Sequence, residues 1–501
     1  MISISWLTLV ALLGAFVVLA SKSRLSTKPL PLPPGPPGDF LVGHLRKIPT
    51  ENTAAAYAQW SKEYDSDVIH LRTLGQSIIV LNSIEAAKEL LDRRGASSCD
   101  RPRFALFEVM GWRKTLTFLP YGPCWQMHRK ILQSTFSNSN VRQWQPFQVQ
   151  ESRRTVLSLI TRPRDWEQSL RRFTVAVVVK VSYGTDVLDN EDPYIQIADD
   201  AMYAMGNGGA PANSVVDIFP LARFLPDWLL RDWPLRFARD WRWAIQKLHR
   251  VPFAAAHADV VNGADNGSLA HRLLRQNLPT GQAEQEAEWS LEDIEGATGA
   301  VFIAGADTTW ATCVIFILNM VLNQDVQRKA QNVLDDVVGT ERLPDFGDRQ
   351  KMPYIEWVVQ EIYRSILYAN AQAIGRDERV YSDPTSFRPE RYQPRTEGGS
   401  GEPFPTAHFG FGRRVCVGRF LADNSVWIMV ATMLATLSFQ KAADNNGNPE
   451  DPRVEFTNGG TCKPPKALQL HHSVKIGKGI GSSERCSSWS FSDTMMSSWC
   501  L

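Results

Sequence analysis

The chain has 501 residues, 44% hydrophobic and 21% charged, with 54 basic against 53 acidic side chains and a formal net charge of +1. This is ordinary globular composition with apolar mass for a large core, and so even a charge gives nucleic acid nothing to grip. The seven cysteines, Cys99, Cys124, Cys313, Cys416, Cys462, Cys486 and Cys500, are odd in number and scattered, which suits reduced thiols rather than a disulfide framework.

Ile2 to Ala20 carries no charge, and at about 1.5 Å per residue it just spans a hydrocarbon core of roughly 30 Å. Lys22, Arg24 and Lys28 follow and hold the C-terminal side in the cytoplasm. A cleaved signal peptide is the alternative; no basic residue precedes the apolar run, which favours an anchor over residues 1–21. Residues 22–38, ending in "PLPLPPGPPG", read as a basic, stiff hinge. "DVIHLRTLGQSIIVLN", 67–82, predicts a hairpin with Gly75-Gln76 at its bend. "SIEAAKELLDRRG" predicts a helix capped by Ser83 and stopped at Gly95.

In "WQMHR", Trp125 and Arg129 are four apart and share a helix face. Helical periodicity dominates from 140 to 340. Asn266-Gly-Ser268 fits a glycosylation sequon that a cytosolic domain would leave idle. Ser290 and Asp293 resemble a capping box ahead of "VFIAGADTTWATCVIFILNMVL", 301–322. A helix apolar on all sides is a domain centre or a membrane span. The polar cluster of Gly305, Asp307, Thr308 and Thr309 favours a buried central helix carrying a reaction site. Glu361 and Arg364 face each other by spacing alone. After residue 475 the serine-rich tail, 476–501, lacks periodicity and reads as disordered.

"HFGFGRRVCVGRF", 408–420, places Cys416 among glycines and arginines with no nearby second cysteine for a disulfide and too few ligands for zinc. Residues 409–418 fit F-x-x-G-x-R-x-C-x-G, and with "AGADTT", "EIYR", "FRPERY" and "WQMHR" in order the chain resembles the cytochrome P450 family, most closely fungal microsomal monooxygenases of secondary metabolism. The resemblance implies a mainly α fold with a small β region over residues 39–475. It implies haem b, with Cys416 as the iron ligand and Phe409, Gly412, Arg414 and Gly418 shaping its loop. Trp125 and Arg129 would meet a propionate, Gly305 would leave room for oxygen, and Asp307 with Thr308 would deliver protons. Glu361, Arg364 and Arg391 would form a structural ion network. The partners implied are NADPH-cytochrome P450 reductase, docking on a basic face including Arg129, Lys130, Arg413 and Arg419, and an apolar small molecule. The membrane implied is the endoplasmic reticulum, with the catalytic domain cytoplasmic.

The chain departs from the pattern after Arg364. Only "SILY", 365–368, stands where the family inserts a turn and short strands, and four residues reach at most about 14 Å. Part of the sheet is therefore missing, through coding sequence left out of the chain or a true truncation. That leaves open a non-catalytic haem- or hydrophobe-binding remnant; a haem-thiolate isomerase or dehydratase is opposed by the intact Asp307-Thr308 pair. Segments 101–120 and 213–230, rich in aromatic and aliphatic residues, are expected to line the pocket, and the second to be able to dip into the membrane. A terpenoid, polyketide or indole-derived substrate is expected.

Overall fold

The computed structural model describes residues 31–40, 42–49, 53–73, 76–209, 214–277, 289–365, 370–442, 449–450, 452 and 471–474. The anchor, most of the hinge, the hairpin bend, the 366–369 connection and the C-terminal tail lie outside them.

The first sheet pairs β1 (Val68–Thr73) with β2 (Gln76–Leu81), antiparallel, with Val68 opposite Leu81. Alternation turns Ile69, Leu71 and Val80 inward onto Tyr57, Trp60 and Tyr64. Ser83 caps the next helix by accepting a hydrogen bond from the Ala86 N–H. That helix widens into a π-helical turn over Lys88–Arg93, and Gly95 begins a further short helix, Gly95–Ser98, instead of ending the first.

The helices that frame the centre are α1 (Pro123–Thr135), α2 (Gln145–Thr161), α3 (Trp166–Tyr183), α4 (Arg242–Val261), α5 (Leu291–Leu322), α6 (Pro353–Ser365) and α7 (Arg419–Thr436). The 32-residue α5 starts as expected: Ser290 Oγ accepts from the Asp293 N–H at 3.0 Å. Its most apolar window is 83% buried within the protein, so α5 is a core helix rather than a second span. Its main neighbour is α3. The valines at 175, 177, 178, 179 and 181 of α3 favour strands by propensity, yet they form helix because every one is buried in the core around it. Each is worth roughly 1.5–3 kcal/mol when withdrawn from water.

Helix α7 lies on α2, tied by Gln148 Nε2 donating to the Leu421 carbonyl at 3.0 Å and to Ser425 Oγ at 2.7 Å. It leads into β3 (Leu437–Gln440), which pairs antiparallel with β4 (His471–Val474). The chain is thus mainly helical with little sheet. Among the described residues no strand lies between Ser365 and Thr436. The Asn266 amide is occupied structurally: Nδ2 donates to the Tyr183 carbonyl at 3.0 Å.

Candidate functional site

A cavity of about 580 Å³ opens between α5, α3, α1 and the loop carrying Cys416. Phe409, Gly418, Trp125, Arg129, Arg414, Gly305, Asp307 and Thr308 all line it together with Cys416. Gly412 stands just outside the lining, in the same loop. Residues 112 and 115–118 contribute as the sequence suggests. None of the described residues of 213–230 reaches it; Val177 and Val178 of α3 take that wall instead.

The Cys416 loop is shaped by backbone. The Cys416 N–H donates to the Phe409 carbonyl at 2.7 Å. Gly410 and Gly412 have φ of +75° and +56°, which side chains disfavour. A Cβ on Gly412 would also stand 1.8 Å from the Leu91 carbonyl oxygen. The Gly412 N–H donates to Asp92 Oδ1, which clips the loop to the π-helical turn. Helix α7 opens at Arg419, directly after the loop. Cys416 shows its surface to the cavity, and burial pushes its thiol up, opposed by the Gly418 N–H and by Arg129 and Arg419.

Two arginines converge here without carboxylate partners. Arg129 Nη1 donates to the Val415 carbonyl at 2.6 Å. Arg414 Nε donates to the Cys99 carbonyl at 2.7 Å, and its guanidinium lies 4.5 Å from the centre of the buried Trp125 ring. Burial lowers both, Arg414 to about 10. Neither forms an ion pair among the described residues, so this wall carries uncompensated positive charge. Arg129 therefore turns inward and leaves the expected docking face, while Lys130 and Arg413 stay exposed and Arg419 is half-buried. A single thiol beside two such guanidiniums fits a flat, dianionic, iron-bearing group.

On the opposite wall, Thr308 Oγ1 donates back to the Ala304 carbonyl at 2.8 Å. Buried Asp307 accepts from Arg171 Nη1 at 3.3 Å. Arg171 also pairs with Asp199 at 3.1 Å and stacks 3.8 Å over Trp310. Gly305 owes its size to packing as well as to the cavity: a Cβ there would meet Val178 Cγ1 at 2.2 Å.

Glu361, Arg364 and Arg391 come together with every charge buried. Arg364 donates to Glu361 from Nε at 3.0 Å and from Nη2 at 2.6 Å. Arg391 Nε donates to Glu361 Oε1 at 3.2 Å, and its Nη1 to Glu402 Oε2 at 2.8 Å. The carbonyls of Gly375, Pro384 and Ser386 accept the other protons of Arg364.

Two cavity neighbours escape sequence reasoning. Arg171 lies 136 residues from Asp307 and nothing local marks it. His408 stacks 4.2 Å from the Tyr363 ring, neither ring nitrogen has a partner among the described residues, and burial lowers it to about 3. Its place beside Phe409 in the glycine-rich stretch was the available signal.

The Cytochrome P450 family profile matches residues 33–369 and 365–471, two stretches that meet at the short connection after Arg364. This chain belongs to the cytochrome P450 family. It is 35% identical over 495 residues to cytochrome P450 monooxygenase 98 of Postia placenta, covering 90% of this chain and 92% of that protein. It is 32% identical to a P450 monooxygenase of Armillaria gallica, covering 87% and 90%, and 31% identical to a tryptamine 4-monooxygenase of Psilocybe cyanescens, covering 85% and 90%. A zebrafish cytochrome P450 solved with abiraterone superposes with a TM-score of 0.65 at 20% identity, over 84% of this chain and all of that one, and shows the shared fold. The chain is a cytochrome P450 monooxygenase, and the family implies a haem-thiolate cofactor.

Proposed function

We propose that the chain binds haem b through Cys416 and inserts one oxygen atom into an apolar fungal secondary metabolite. The observation that carries this reading is one cysteine at the base of the cavity, flanked by two half-buried guanidiniums without carboxylate partners among the described residues and facing an acid and an alcohol. Arg129, Arg414 and Trp125 hold the propionate side. When bound, the haem supplies a redox centre that activates dioxygen with two electrons, passed from NADPH by the reductase.

The chain's own residues order the rest. Thr308 Oγ1 can turn from the Ala304 carbonyl toward the cavity and present its proton there. Asp307 precedes it in the chain, and Arg171 holds that carboxylate in place at 3.3 Å. Phe118, Val177, Val178 and Ile315 exclude water and favour an apolar guest. The tryptamine-acting relative supports an indole-derived substrate; a terpenoid or polyketide meets the same apolar walls.

Exposed Lys130 and Arg413, with half-buried Arg419, form the reductase-docking face. Residues 1–21 anchor the chain in the endoplasmic reticulum membrane with the catalytic domain cytoplasmic. Phe219, Leu221, Phe224 and Trp228, between 66% and 79% exposed, rest against the same membrane.

The test is the reduced, carbon monoxide-bound protein, which should show the thiolate-type Soret band, followed by turnover of an indole, terpenoid and polyketide panel with NADPH and reductase. The band without turnover on any panel member would favour a haem-binding remnant, the reading that the short 365–368 connection supports.

A further inference from the structure

Outside the cavity, α1 and α5 bring three metal-ligating side chains together. Cys124 and His128 are one turn apart on the same face of α1. Asp293 stands in the first turn of α5. His128 Nε2 lies 3.0 Å from Asp293 Oδ1, Cys124 Sγ lies 3.7 Å from the same oxygen, and the three ligand atoms all fall within 4.8 Å of one another. We propose that Cys124, His128 and Asp293 bind a single zinc ion.

The donor set and spacing select this ion. Zinc takes sulfur at about 2.3 Å and nitrogen or oxygen at about 2.0 Å in a tetrahedron, which sets the ligand atoms roughly 3.3–3.7 Å apart. The sulfur–oxygen pair already has that separation, and the nitrogen–oxygen pair needs to open by a few tenths of an ångström. A thiolate with an imidazole disfavours magnesium and calcium, which take oxygen ligands. The fourth position is left to water, and exposed Cys124 beside half-buried Asp293 gives an entry path. Ser290 Oγ donates to Asp293 Oδ2 and so aims Oδ1 at the site.

Binding replaces two hydrogen bonds with three metal bonds from the protein. The Cys124 thiol loses its proton to solvent, and the imidazole carries its proton on Nδ1 so that Nε2 can ligate. One proton is released per zinc, and nothing is oxidised or reduced. Nδ1 of His128 is buried without a partner among the described residues, so its proton finds no acceptor, which weakens binding. The bound ion would pin α1, which carries Trp125 and Arg129, to α5, which carries Asp307 and Thr308.

The experiment is equilibrium dialysis of full-length holoprotein against micromolar zinc chloride, with zinc and haem counted in the same sample. One zinc per haem is expected, with a rise in melting temperature. Cys124→Ser and Asp293→Asn should each weaken uptake by more than the roughly tenfold typical of losing an outer-layer partner. The carbon monoxide band of each variant establishes that it is folded around its haem. Zinc bound equally by both variants, as it would be by thiols and histidines in the 462–500 stretch, overturns the proposal, and so does the absence of uptake at these concentrations.

Discussion

The ion network around Glu361 and the 215–233 surface are built on opposite terms. In the network, Glu361, Arg364 and Arg391 are almost wholly buried, and every charge is answered by a carboxylate or a carbonyl. At the surface, Phe219, Leu221, Phe224 and Trp228 have no core to enter and stand exposed. The first region ties α6 to the segment from Gly375 to Glu402 whatever the substrate. The second meets whatever lies outside the molecule. Chemistry is therefore written where the chain is rigid and paired, and environment where it is not.

The sharpest break of this comparison is at Cys416. Cys416→Ser should abolish the thiolate-type carbon monoxide band and all monooxygenase turnover, measured by difference spectroscopy on the reduced protein. Next comes Glu361→Gln, which leaves Arg364 and Arg391 buried without their shared carboxylate. It should cost about 3–5 kcal/mol and release haem on mild urea treatment, read by unfolding curves and Soret absorbance.

Gly305→Ala should cost about 1–3 kcal/mol by driving a methyl into Val178, and adding Val178→Ala should recover part of that loss. Denaturation of the single and double variants measures the coupling; strict additivity would refute the packing role. Smallest for the fold, replacing Phe219, Leu221, Phe224 and Trp228 together by Ser should change stability by no more than about 0.5 kcal/mol per site. The same change should lower co-sedimentation with phospholipid vesicles of protein lacking residues 1–28, whereas unchanged co-sedimentation would mean that this surface does not meet the membrane.

Much of this was legible in the chain because it is local. The capping pair Ser290 and Asp293, the apolar run of α5 and the glycines around Cys416 act within a few residues of themselves, so spacing reveals them. The Glu361–Arg391 pairing was readable only through family resemblance, since 30 residues separate its ends. What escaped is tertiary. Arg171 reaches Asp307 from a different helix, Gly305 is small because of Val178, and the 213–230 segment turns outward while α3 supplies the wall. Gly95 misled for the opposite reason: its residue type suits a helix stop, but the π-helical turn before it sets the path of the chain.

The acceptors of Arg364 all come from downstream, at Gly375, Pro384 and Ser386, and its carboxylate from upstream, at Glu361. The bracket is thus fastened on both sides of residues 366–369 and draws on neither end of that joint. The joint is accordingly a splice point. A strand-bearing stretch borrowed from a longer relative could be sewn in there to rebuild the substrate wall, while the clasp at Glu361 keeps its shape.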